Sequence, residues 1–177
     1  MFHAVNRWRE RRKYLRTLKA NMSWLLIELP KPMFEKILAS YPGIKAAAHT
    51  AYEQGTNVNE ESVQVVAAVM GDILLQGLSA ATRRQIISSL HGASQEQQPA
   101  PEIDSAATLW TNVITTMERQ IYFMVQAGKI DSHWRDLLMS EVLGALDGQT
   151  AEERSQRRVF RAIDDALLPK MSGRGDR

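Results

Sequence analysis

The sequence predicts an all-α protein of about seven to eight helices. Along most of the chain, apolar residues recur at spacings of three and four, which is the period of an amphipathic helix. Prolines, glycines and good capping residues separate these periodic segments. A strand competes only at the β-branched run Val113-Ile114-Thr115-Thr116, and the helical periodicity on both sides favours helix there as well.

The first predicted helix spans residues 2–29 and has two faces of opposite character. It ends at Pro30, because proline lacks a backbone donor and disfavours the α conformation in the residue before it. On a helical wheel the apolar side carries Leu15, Leu18, Met22, Leu25 and Leu29. The opposite side carries the basic residues Arg9, Arg12, Lys13, Arg16 and Lys19.

Arg7 and Arg11 depart from this division, because both fall within the apolar sector of the helix. Burial of two guanidinium groups is costly unless acidic partners neutralise them. We therefore expect residues 15–29 to dock on the body of the protein. Residues 1–13 are expected to project as a basic arm that carries an exposed Trp8.

Four further helices are predicted before residue 93. Their boundaries, in chain order, are Pro32 and Pro42, Ile44 and Gln54, Asn59 and Gly77, and Ser79 and Gly92. The helix that follows Asn59 carries Val63, Val66 and Met70 on one face, with Val65 and Val69 beside them. A helix that is apolar over most of its circumference is usually buried on several sides. We therefore predict it to be the central helix of the N-terminal half.

Three more helices are predicted after residue 103. Their starts and ends are Asp104 or Ser105 and Gly128, Asp131 or Ser132 and Leu146, and Thr150 and Pro169. Thr150 and Glu153 have the spacing of a capping box, in which two side chains satisfy each other's backbone donors at a helix start.

Residues 93–103 divide the chain into two predicted lobes. This segment has two prolines, polar side chains and no periodicity, as expected of a linker or exposed loop. The predicted organisation is a basic N-terminal helix plus a helical lobe in residues 1–92, a second helical lobe in residues 104–169, and a mobile tail in residues 170–177.

Composition excludes several function classes. The chain has no cysteine, which removes disulfides, thiolate catalysis and cysteine-based zinc sites. It contains no nucleophile elbow, Walker loop or dinucleotide-binding glycine pattern. His49 and Glu53 have the spacing of two metal ligands on one helix face, but two ligands do not make a site. We predict a non-enzymatic protein with no cofactor and no metal site.

The sequence favours a cytoplasmic location without a transmembrane segment. No apolar run approaches the ~18 residues that a spanning helix requires. Two targeting signals compete with this prediction. Arg11-Arg12 followed by Lys13-Tyr14-Leu15 resembles a twin-arginine export signal, although Lys19 and Asn21 interrupt the apolar region that should follow. The arginine-rich, acid-poor start also resembles an organelle transit peptide, but it has few serines.

Charge is strongly segregated along the chain. Residues 1–20 contain seven Lys or Arg and one Glu, a net charge of +6, so the remaining residues carry −4 of the total of +2. Such segregation indicates a polyanionic partner. The predicted anion-binding residues are Arg7, Trp8, Arg9, Arg11, Arg12, Lys13, Arg16 and Lys19. Arginine donates bidentately to phosphate, and Trp8 is suited to stacking on a base.

The leading function hypothesis is a helical binding or adaptor subunit that engages nucleic acid through the first helix. The first alternative is a protein-interaction subunit, in which this helix docks on an acidic partner or self-associates into a homo-oligomer. Peripheral membrane attachment is the second alternative, and it is less favoured because Arg7 and Arg11 interrupt the apolar sector. A purely solvated face, whose arginine stems cover the core, is the remaining interpretation.

Two other basic clusters are predicted to be structural. Arg154, Arg157, Arg158 and Arg161 follow one face of the last helix, and nearby acids on that helix are expected to pair with them. The segment from Gly77 to Arg84 superficially resembles a helix-turn-helix. It fails the pattern because Asp72, Gln76 and Arg83 stand where apolar or small residues are required.

Overall fold

The computed structural model describes residues 2–40, 43–92 and 104–157. Seven helices have defined bounds: α1 Phe2–Leu25, α2 Lys31–Ser40, α3 Ile44–Glu53, α4 Val58–Gln76, α5 Ala80–Leu90, α6 Ser105–Gln126 and α7 His133–Leu146. A further helical segment, α8, covers residues 151–157. The described residues contain no strand, and the run Val113-Ile114-Thr115-Thr116 lies within α6. The predicted all-α class is confirmed.

Helix α4 is the centre of the fold. It packs on α1, α3 and α7, and its residues Val63, Val66, Met70 and Leu74 are completely buried. Val65 and Val69, on the flank of that face, are buried as well. The prediction of a central helix here is confirmed, because neighbours cover α4 on more than one side.

The described helices share one hydrophobic core. Buried residues from both sides of residues 93–103 belong to a single cluster, which runs from Leu18 on α1 to Leu146 on α7. Packing of α4 on α7, α5 on α6 and α1 on α6 also joins the two sides. The predicted division into two packed lobes is therefore not confirmed. The predicted linker 93–103 and the tail 170–177 lie outside the described residues.

The start of each helix tests the capping predictions. Asn57, and not Asn59, caps α4, and its side chain accepts a hydrogen bond from the backbone N–H of Asn59 at 2.9 Å. Ser79 caps α5 and Asp104 caps α6, each by accepting from a backbone N–H of the first turn. The capping box at Thr150 is formed, since each partner accepts the other's backbone N–H.

Helix α1 ends four residues earlier than predicted. Its last helical residue is Leu25, and residues 26–28 form a turn before Pro30. The turn places Leu26 and Leu29 in the core. The sequence predicts one more helical turn after Leu25, whereas the chain folds back there, buries Leu26 and Leu29 and leaves Ile27 exposed.

Candidate anion-binding surface

The two sides of α1 meet different surroundings. Leu18, Met22 and Leu25 have no solvent exposure, and α1 packs on α3, α4 and α6. Because a helix turns once every 3.6 residues, the side opposite this stripe faces solvent. We call the exposed basic residues on that side the basic face of α1: Arg9, Arg12, Lys13, Arg16 and Lys19.

The basic face carries positive charge that the rest of the described chain does not neutralise. None of its five side chains forms an ion pair with a carboxylate of the described residues, and the single acid of α1, Glu10, is also exposed. From Arg9 to Lys19 the face extends about 15 Å along the helix axis, at 1.5 Å per residue. A row of cations of this length attracts anions with several charges more than single ions.

Arg11 differs from the basic face because it is already paired. Its guanidinium binds the carboxylate of Glu53 on α3, with Nε donating to Oε1 at 2.8 Å. This hydrogen bond is the main reason why the pKa of Glu53 lies below its usual value, and the positive charges of Arg11 and Arg7 lower it further. Arg11 therefore neutralises an acid of this chain, while Arg7 stays exposed nearby.

Docking of α1 begins one turn earlier than predicted. Tyr14 donates a hydrogen bond from its hydroxyl to the backbone oxygen of Thr56 at 3.1 Å, and its ring meets Tyr52 edge-on. Burial, with the nearby charges of Glu61 and Glu60, raises the pKa of Tyr14 to about 12. Arg11 and Tyr14 thus hold α1 on α3. The expected projection of residues 1–13 as an arm is wrong at Arg11.

Trp8 lies on the exposed N-terminal part of α1. Its side chain is 55% exposed, and the guanidinium carbon of Arg12 lies 4.6 Å from the centre of its ring. A cation over an aromatic face is attracted by the ring quadrupole. One face of Trp8 is therefore covered by Arg12, which orients the arginine on the basic face.

The second basic cluster contains a buried arginine. Arg154 is 3% exposed, and its Nε donates to the carboxylate of Glu141 on α7 at 3.0 Å. It also lies 3.6 Å from a carboxylate oxygen of Asp72 on α4, and it donates to the backbone oxygen of Gln149 at 2.6 Å. The structural role predicted for this cluster holds for Arg154, but its partners lie on other helices. Arg158 and Arg161 lie outside the described residues.

Two glycines make room for Arg154 between α4 and α7. A Cβ on Gly71 would lie 2.6 Å from the Nη2 atom of Arg154, and one on Gly144 would lie 3.1 Å from its Cγ. Both distances are shorter than ordinary van der Waals contacts, so a methyl group at either position would require Arg154 to shift. The sequence signal was the placement of Glu141 on an otherwise apolar helix face, since a buried acid requires a partner.

The helix-turn-helix interpretation gains no support. Arg83 donates from Nη1 to the backbone oxygens of Leu75 and Leu78, at 2.8 and 3.0 Å. Carbonyl groups at a helix end lack partners within the helix, so Arg83 satisfies the carbonyl of Leu75 at the end of α4 and that of Leu78 in the turn that follows. The neighbouring Arg84 is exposed.

The described residues hold no group of three or more His, Cys, Asp or Glu side chains placed to bind a metal ion. His49 and Glu53 have the spacing of two metal ligands on one helix face, but the carboxylate of Glu53 is paired with Arg11. Within the same described ranges, no helix has the length and apolar character needed to cross a membrane.

Comparison with known proteins identified no relative of this chain. No family model matches the chain, and neither a curated protein nor a solved structure is significantly similar to it.

Proposed function

We propose that this protein is a non-enzymatic binding subunit that engages a polyanion, preferably nucleic acid, through the basic face of α1. The observation that carries the proposal is the row of five exposed cations, none of which pairs with a described carboxylate. The body holds this row in place, because the opposite side of the same helix is anchored by Leu18, Met22 and Leu25. A helix that is docked in this way fixes the spacing of the cations, which lowers the entropic cost of binding phosphates.

The buried stripe of α1 favours nucleic acid over a membrane surface. A basic amphipathic helix binds a bilayer by inserting its apolar side among the acyl chains. In α1 that side is in the core, with Leu18, Met22 and Leu25 fully covered, and is therefore unavailable for insertion. The exposed side offers a row of cations with Trp8 beside it, which suits the phosphates and bases of a nucleic acid.

The charge on the rest of the chain also favours a defined binding surface. Residues 21–177 carry a net charge of −4, because they contain 15 Lys or Arg and 19 Asp or Glu. An acidic body repels a polyanion, so contact is restricted to the basic end of the molecule. This restriction predicts a single contact surface for the partner, along α1.

The experiment compares two variants with the same change in net charge. In the first, Arg9, Arg12, Lys13 and Arg16 are replaced by Gln. In the control, four exposed basic residues outside α1 are replaced by Gln: Lys31, Lys36, Lys45 and Arg84. Affinity for a labelled oligonucleotide is measured by fluorescence anisotropy.

We expect the α1 variant to lose about a hundredfold in affinity at 0.1 M salt, because each lost phosphate contact costs a large electrostatic factor. The control variant should lose much less. Equal losses would show that net charge, and not the α1 face, governs binding. If wild type binds no oligonucleotide but binds anionic vesicles or an acidic protein, the nucleic-acid proposal is wrong.

A further inference from the structure

A small cleft lies where the C-terminal end of α1 meets the start of α4 and the end of α6. Its lining residues are Asn21, Trp24, Asn59, Met124 and Lys129, and its volume is about 250 Å³. This is slightly below the range of pockets for drug-sized ligands, and it suits a single planar ring system. We propose that this cleft binds an unpaired base of a single-stranded nucleic acid, an inference that rests on the proposed polyanion binding by α1.

The polar wall of the cleft is held in place before any ligand arrives. The side-chain amide of Asn21 donates to Oδ1 of Asn59 at 3.0 Å and to the hydroxyl of Ser62 at 3.1 Å. Asn59 is itself fixed at the start of α4, where its backbone N–H is bound by the capping residue Asn57. Amide groups recognise the hydrogen-bonding edges of bases, and ordered amides do so at a lower entropic cost.

The other walls supply stacking and charge. Trp24 is 37% exposed, so part of its indole is open to a ligand, while Met124 is 3% exposed and forms an apolar wall. Lys129 is exposed and forms no ion pair with a described carboxylate. An aromatic face, amide groups and a cation together fit a base with its attached phosphate.

The cleft lies further along α1, next to the Lys13 edge of the basic face. Lys13 and Trp24 are eleven residues apart, which places them about 20° apart around the helix and about 16 Å apart along it. Lys19 lies about 140° around the helix from Trp24, so a phosphate backbone reaches Trp24 by following the Lys13 edge of the basic face. In a duplex the bases are stacked on each other, so only a single strand can offer one to Trp24.

The cleft was not expected from sequence. Trp24 stood in the short apolar run Trp24-Leu25-Leu26-Ile27, whose Leu25 and Leu26 are core residues. The available signal was its angular position, since Trp24 lies well away from the Leu18–Met22–Leu25 stripe.

The test compares an oligothymidylate with an abasic oligomer of the same length and backbone charge. Wild type should bind the oligothymidylate about tenfold more tightly, because stacking of one base adds to the phosphate contacts. Trp24→Ala should remove this preference and leave the affinity for the abasic oligomer unchanged, whereas Trp24→Phe should retain much of the preference. Ile27→Ala is the matched control, since Ile27 is 58% exposed and does not line the cleft.

The outcomes separate the two proposals. If wild type binds both oligomers equally, or if Trp24→Ala keeps the preference, the base-binding cleft is wrong and the polyanion proposal stands. If wild type binds neither oligomer, both proposals are wrong. Unchanged circular dichroism and melting of Trp24→Ala exclude loss of folding as the cause, and Trp24→Phe gives a second measure should Trp24→Ala be unstable.

Discussion

Arg16 on α1 and Arg154 on α8 carry the same guanidinium group in opposite surroundings. Arg16 is exposed and forms no ion pair with a described acid, while Arg154 is 3% exposed and bound to Glu141. Water and salt screen the charge of Arg16, whereas the charge of Arg154 depends on its protein partners. Arg16 is available to an external anion, and Arg154 joins α8 to α4 and α7.

The comparison shows that a run of basic residues does not reveal its role by itself. Both clusters have helical spacing, and each has at least one acid within reach along the chain: Glu10 on α1, and Glu152 and Glu153 beside Arg154. The two clusters differ in the side chains that other helices place beside them. Only α4 and α7 offer Arg154 the acids Asp72 and Glu141 and the space beside Gly71.

The largest expected effect is on stability, from loss of the buried arginine. Arg154→Ala leaves Glu141 buried without its cation, so the free energy of unfolding should fall by about 3–5 kcal/mol. Denaturant unfolding measures this change, and Arg84→Ala, at an exposed position, should lie within about 0.5 kcal/mol of wild type. A loss below about 1 kcal/mol for Arg154→Ala would show that the buried pair contributes little.

Gly71→Ala tests the space beside Arg154. The new methyl group would meet the guanidinium 2.6 Å away, and that group cannot move without losing its bonds to Glu141 and Gln149. We expect a loss of about 1–3 kcal/mol from overpacking, partly offset by the higher helix propensity of alanine. In an Arg154→Ala background the same substitution should be neutral or stabilising. If Gly71→Ala still lowers the free energy of unfolding in the Arg154→Ala background, the methyl group clashes with a residue other than Arg154.

Tyr14→Phe tests whether α1 is docked on α3 at Tyr14. Its pKa of about 12 lies above the ordinary 10.0, so the folded state favours the neutral phenol. The stability from this preference is complete below pH 10 and decreases as the pH rises towards 12. Tyr14→Phe should lack that part of the alkaline decrease, as measured by chemical unfolding across this pH range. Identical alkaline profiles for the two proteins would mean that Tyr14 is not docked on α3.

The smallest effect concerns the pair of Arg11 and Glu53. Removing the hydrogen bond by Arg11→Gln should raise the pKa of Glu53 towards its usual value, as followed by carboxyl NMR. Arg7→Gln should raise it less, because Arg7 acts only through its charge. Since the pKa of Glu53 is lowered in the folded state, the pair stabilises the fold above the usual pKa of a glutamate and less as the pH falls. An unchanged pKa in Arg11→Gln would contradict the pairing.

Sequence predicted the elements of this fold better than their assembly. Periodicity and turn residues identified the helices and the central position of α4, because local geometry determines those patterns. The joining of both halves into one core was not predicted, since the same apolar faces fit one core or two. The sequence predicts the cap of α4 two residues too late, at Asn59, because Asn57 and Asn59 are both good capping residues.

The candidate site was only partly predictable for a similar reason. The exposed side of α1 followed from its angular distribution, and the five residues of the basic face are exposed as expected. The pairing of Arg11 could not be predicted without knowing that α3 places Glu53 beside it. The same holds for the cleft at Trp24, whose walls come from three helices that are distant in sequence.

The salt dependence of oligonucleotide binding tests the central claim most directly. If the five residues of the basic face each contact a phosphate of a single strand, the logarithm of the association constant should fall with the logarithm of salt concentration with a slope of about −3.5. Replacing Arg9, Arg12, Lys13 and Arg16 by Gln should bring the slope to about −0.7, while Arg154→Ala, measured where it remains folded, should keep the wild-type slope. A wild-type slope near zero, or one that these four replacements leave unchanged, would contradict the assignment of α1 as the anion-binding surface.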